Sequence, residues 1–130
     1  MTDVHLLLVI TFVTWASLML AAVLRSRSWT PLGQKLAFGN REAMPEPSPI
    51  AGRAQRAALN NLENLALFVA AFVAARLAGA TPEAVLPGAH LFVWGRLAYV
   101  GVYLAGIPYL RTLVWLVSVI GIFRVAGTAL

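Results

Sequence analysis

Within the stretch RAQRAALNNLEN, Arg53 to Asn64, two arginines, three asparagines and a glutamate stand directly before the apolar run LALFVAAFVAARLAGA. A helix advances about 100° per residue, so relative to Arg53 it places Arg56 at about −60°, Asn60 at about −20°, Glu63 at about −80° and Asn64 at about +20°. These five residues therefore share one face, an arc of roughly 100°. A second set lies further along: Arg96, Tyr99 and Tyr103 are spaced i, i+3, i+7 and fall within about 60° of one another on a helix. Guanidinium groups, amides and phenolic hydroxyls facing each other make an anion-attracting cleft rich in donors. That chemistry suits a carboxylate-bearing polar ligand beside an apolar partner. Arg111 follows at the same end of the molecule and adds a further positive charge.

Arg96 falls near the middle of an apolar segment, where an unpaired guanidinium is costly and asks for a partner. Glu63 is the one acid inside the apolar runs at about 4–24, 61–80, 86–107 and 112–129, so an intramembrane Glu63–Arg96 pair is expected, within one subunit or across an interface. The plain structural alternative is that this polarity only fixes helix registry, as polar groups do in membrane bundles. Eight polar residues on two faces, with Arg111 at the same side, go beyond what registry needs.

The elements that must carry these residues are membrane helices. The 130-residue chain is 60% hydrophobic and only 12% charged, with a mean hydropathy of +0.79. A soluble domain carries about 25% charged residues. Apolar runs near the ~20 residues that span a bilayer occur at about 4–24, 61–80, 86–107 and 112–129. They are continuously apolar rather than alternating, and helices satisfy their own backbone in lipid. The expected fold is a single all-α domain over 1–130, an integral membrane four-helix bundle.

The second helix is expected to start near residue 49, because Ser48 and Pro49 form an N-cap and N1 pair. Thr81 and Pro82 repeat that signal after AGA. The acidic MTD flank lacks the basic region of a signal peptide, so the first run is expected to be a retained span. Small residues Ala70, Ala74 and Ala78, with Ala71, Ala75 and Gly79, form ridges for close packing.

Arg25, Arg27, Lys35, Arg41, Arg53, Arg56 and Arg111 belong to the first and third connections or their edges. The positive-inside rule puts these connections in the cytoplasm and both termini outside. With no cysteine, the chain has no disulfide, thiolate ligand or cysteine nucleophile. No metal-ligand spacing or phosphate-cradling glycine loop is visible. The net charge of +5 fits topology and anionic headgroups, and no nucleic-acid partner is expected. His90 lies off the Arg96 face, and Arg124 reads as a side chain snorkelling at the end of the last helix.

RAQRAALNNLEN, taken as R-x-x-R-A-x-x-N-x-x-E-N, resembles the start of the second helix in the MAPEG family, membrane-associated proteins in eicosanoid and glutathione metabolism. The microsomal glutathione transferase pattern is similar in this segment. AFGN before that helix and RLAYVGVYLAGIPYLR after it resemble further family segments. The resemblance implies a homotrimer with glutathione bound in a cytoplasm-facing cleft between subunits. By position, Arg53, Arg56, Asn60, Glu63, Asn64, Arg96, Tyr99 and Tyr103 would bind glutathione as co-substrate, without a metal. Arg111 would be catalytic, stabilising the thiolate for attack on a lipophilic electrophile or hydroperoxide drawn from membrane lipid. Ala58 stands where many members carry Gln or His. The short first connection resembles a bacterial branch, which implies an inner-membrane protein with periplasmic termini. A non-catalytic lipid- or thiol-binding protein of the same fold is the alternative.

Overall fold

A computed structural model describes all residues, 1–130. The chain forms five helices in order: α1 Asp3–Ser26, α2 Pro31–Phe38, α3 Pro49–Leu77, α4 Pro82–Ala105 and α5 Pro108–Gly127. α1, α3, α4 and α5 are each long and apolar enough to cross a membrane. α3 is the longest, at 29 residues, so its polar first turns extend the span rather than interrupt it.

Local chemistry sets the helix ends. Ser48 Oγ accepts from the Ala51 amide at 3.3 Å and Pro49 occupies N1 of α3. Thr81 caps α4 in the same way through the Ala84 amide at 3.3 Å. Gly106 ends α4 in the left-handed region at φ +78°, where a side chain is strained. Pro108 then starts α5. One element was not anticipated: α2 lies inside the first connection. It is announced by the same signal, Thr30 accepting from the Gly33 amide at 3.0 Å with Pro31 at N1.

α3 and α4 each pack on all three other long helices, while α1 and α5 occupy opposite edges and do not meet. α2 touches only α1. At the end holding the termini the interior is apolar: Leu6, Ile10, Phe68, Phe72, Phe92 and Val125 share one cluster. The Phe68 and Phe92 rings stack there at 4.2 Å. Toward the other end the apolar core thins to alanines, with Ala21 against Ala54 and Ala58, and Ala57 against Tyr99 and Tyr103. Ala58 is fully buried in the α1–α3 seam.

Close helix approach is made at a seam other than the expected alanine ridge. Ala70, Ala74 and Ala78 face out of the subunit, and only Ala75 of the small residues named is buried. The tight seam is α4 on α5. A Cβ on Gly121 would lie 2.5 Å from the Phe92 amide nitrogen, and one on Gly88 would lie 2.8 Å from Val125.

Candidate functional site

The site lies at the end of the bundle formed by the first and third connections, where the apolar core gives out. Arg53, in the second turn of α3, donates from Nε to the Leu104 carbonyl at 3.1 Å. It thereby satisfies one of the orphan carbonyls at the C-terminus of α4, at the negative end of that helix's dipole. Arg56, one turn on, donates from Nε to the Tyr103 hydroxyl at 3.2 Å. The Arg111 guanidinium sits over the Tyr103 ring at 4.7 Å. Tyr103 is thus held between two arginines, one on its hydroxyl and one on its face.

Arg96 is fully buried. Its Nε donates to Asn61 Oδ1 at 2.7 Å and its Nη2 to Asn60 Oδ1 at 2.8 Å, with a second Nη2 bond to Asn61 Oδ1. The guanidinium also packs on the Tyr99 ring at 4.1 Å. Tyr99 and Tyr103 meet edge to face at 5.4 Å. Asn64 donates from Nδ2 to the Asn60 carbonyl at 2.8 Å and to Asn60 Oδ1 at 3.3 Å. Asn60 is therefore the hinge of the cluster, joining Arg96 to Asn64.

The expected Glu63–Arg96 pair does not form. Asn60 and Asn61 bracket the direction from which Arg96 approaches α3, at about −20° and +80° on the helical wheel, whereas Glu63 lies at about −80°. Glu63 is exposed and Arg96 is enclosed within its own subunit, so a carboxylate of a neighbouring copy does not reach it either. The one ion pair lies at the other end, where Arg76 Nε stands 3.7 Å from the buried Asp3 carboxylate. Two amide oxygens do the work expected of a carboxylate. Asn61 is the residue that reasoning from the α3 stripe passed over. Its only signal is the Asn-Asn doublet at a depth where apolar residues are usual.

The structure brings Arg56, Asn60, Asn64, Arg96, Tyr99, Tyr103 and Arg111, with Asn61, into one connected cluster. Arg53 is tied to the Leu104 carbonyl beside it, and Glu63 stays outside it. Asn60, Tyr99 and Arg111, with Thr112 and Trp115, line a pocket of about 200 Å³. Trp115 is shared with an adjoining apolar pocket of about 310 Å³, lined by Asn64, Leu67, Val119, Ile122 and Phe123. A cationic, hydroxyl-bearing pocket thus abuts an apolar one that runs along α5 into the membrane-spanning region. The pair can hold an anionic polar group beside a lipophilic one.

Fold and site together define an integral membrane protein with a polar ligand site at one end of its helix bundle. A family model described as the MAPEG family matches residues 4–130; the chain belongs to this family, whose members are trimeric four-helix membrane proteins of the glutathione transferase and eicosanoid-metabolising type. No curated protein and no solved structure gives a significant match.

Proposed function

We propose that this chain is a membrane-bound, glutathione transferase-like enzyme. In this reading it activates the glutathione thiol at the Arg111 pocket for attack on a lipophilic electrophile or hydroperoxide. The observation that carries the reading is the pairing of the two pockets through Trp115. Arg111 with the hydroxyl-bearing Tyr99 and Thr112, and no carboxylate, line one side, and an apolar slot for a membrane-partitioned acceptor lies on the other.

Glutathione carries two carboxylates, which suit Arg53 and Arg56 at the mouth, and these residues keep unused donors beyond the bonds made by their Nε atoms. Asn60, Tyr99 and Tyr103 would orient the tripeptide. Asn64, next to the apolar slot, would border both substrates. A positive charge at Arg111 favours the thiolate, which is the nucleophile. With the thiol proton passed to solvent through the open mouth, the thiolate sulfur forms a bond to the electrophilic carbon as that carbon's bond to its leaving group breaks and the leaving group departs with the electron pair. With a hydroperoxide it attacks the terminal oxygen, the O–O bond breaks to release the alcohol, and a second glutathione converts the resulting sulfenic acid to glutathione disulfide and water. Holding both reactants side by side supplies much of the rate.

Arg56 and Glu63 are exposed on the isolated subunit. They fit a cleft completed by a second copy, as in a homotrimer, with Glu63 placed to accept from the glutathione amino group. The site end faces the cytoplasm of a bacterial inner membrane in this reading, with the termini periplasmic.

The test is a glutathione titration of the detergent-purified protein, read by thiolate ultraviolet absorbance and by thermal stabilisation, since a ligand of the folded state raises Tm. Binding with thiolate formation is expected. Arg111→Ala should abolish the thiolate signal while retaining binding, and Arg56→Ala should weaken binding itself. Binding without thiolate in the unaltered protein would instead support a non-catalytic thiol- or lipid-binding role. No stabilisation at millimolar glutathione would sink both glutathione readings.

A further inference from the structure

On the outer side of the α4–α5 seam runs a separate groove of about 490 Å³, lined by Pro87, His90, Leu91, Trp94, Ala98, Val114, Val117 and Arg124 among others. Its walls are apolar except at one end, where Arg124 and His90 stand. The apolar length from Pro87 to Ala98 on α4 is about 16 Å at ~1.5 Å rise per residue. That is about half of the ~30 Å hydrocarbon core of a bilayer. The groove therefore reaches from the end of the bundle that holds the termini to the bilayer midplane, the depth of one leaflet.

The charge at its end is uncompensated within the subunit. The only acid on α4 or α5 is Glu83, and Arg124 makes no ion pair with it. The Trp94 indole donates to His90 Nδ1 at 3.3 Å, so the ring proton of neutral His90 sits on Nε2 and remains available as a donor. A guanidinium and an imidazole N–H at headgroup depth, above an apolar channel one leaflet long, match the two parts of a phospholipid with net negative charge.

We propose that this groove is a binding site for an anionic phospholipid of the leaflet on the side of the termini. One acyl chain lies along Leu91, Trp94, Ala98 and Val117, and the phosphodiester sits on Arg124 with His90 as second donor. The headgroup position is independent of the glutathione reading, because Arg124 and His90 stand at the opposite end of the bundle from Arg111.

The experiment is native mass spectrometry of the detergent-purified full chain, with phosphatidylglycerol and phosphatidylcholine of identical acyl chains added in competition. Retention of phosphatidylglycerol in several-fold excess is expected. Arg124→Gln, at an exposed position, should bring retention of the two lipids to parity. Ala98→Phe, which fills the groove from an exposed position, should lower retention of both. Equal retention by the unaltered protein, or an unchanged preference in Arg124→Gln, would overturn the proposal. So would a change in subunit number with either variant, because that would make the groove a contact between copies. Circular dichroism of both variants establishes that they are folded, so that loss of lipid reports on the groove.

Discussion

Arg96 holds a full charge inside the bundle on two asparagine side chains, and this arrangement separates the residues that maintain the site from those that meet its ligand. Asn61 is 1% exposed and accepts from Arg96 Nε. Asn61→Leu would remove that acceptor and leave a buried charged donor unpaired, at a cost of about 2–3 kcal/mol. The expected readout is a clear fall in Tm of the detergent-solubilised protein. Glu63→Gln alters an exposed residue with no partner in the subunit and should change stability by less than about 0.5 kcal/mol, while lowering affinity for glutathione if the proposed contact is made. Equal destabilisation by both substitutions would show that Glu63 supports Arg96 after all. The angular reasoning that grouped Arg53, Arg56 and Asn60 was sufficient to find the face. It failed for Glu63 because an arc of about 100° is wide enough to span two directions. Which edge of the arc meets α4 depends on a crossing geometry that one helix's sequence does not contain.

At the scale of the elements, what was legible follows from locality. Ser48-Pro49 and Thr81-Pro82 fix the starts of α3 and α4 through bonds made within one turn, and such signals are readable without knowing any neighbour. Thr30-Pro31 carries the same signal for α2, but α2 is only 8 residues long and lies in a polar connection that shows no apolar periodicity. The seam glycines are not legible in that way, because Gly88, Gly95 and Gly121 matter only through the backbone that faces them. Gly121→Ala would press a methyl group against the Phe92 amide, 2.5 Å away, and should cost about 1–3 kcal/mol as overpacking. Gly101→Ala is the internal comparison: it lies within α4 with nothing within 4 Å of the added Cβ. There alanine's better helix propensity should raise stability by about 0.5–1 kcal/mol. Thermal unfolding of the two variants measures the difference. Similar effects would mean that α4 and α5 do not approach as closely as their glycines indicate.

Across the whole molecule, polarity is divided between the two ends of the bundle in a way that bears on its orientation. The end with the first and third connections carries Arg25, Arg27, Lys35, Arg41, Arg53, Arg56 and Arg111. The end with the termini carries Arg76, which stands against the buried Asp3, and Arg124 at the end of the α4–α5 groove. The excess of cations around the first and third connections favours retention of that end on the cytoplasmic side during insertion. It would also place the proposed glutathione pocket where reduced thiol is abundant. The absence of cysteine makes this directly measurable, since a single introduced thiol is then the only one present. Glu46→Cys, in the exposed first connection, and Leu130→Cys, at the exposed C-terminus, should behave oppositely toward a membrane-impermeant maleimide. Leu130→Cys should be labelled in intact cells, and Glu46→Cys only after permeabilisation. The reverse pattern would place the site outside the cytoplasm, away from the proposed co-substrate. A glutathione-dependent activity would then be untenable in the cell even if the purified protein bound the tripeptide.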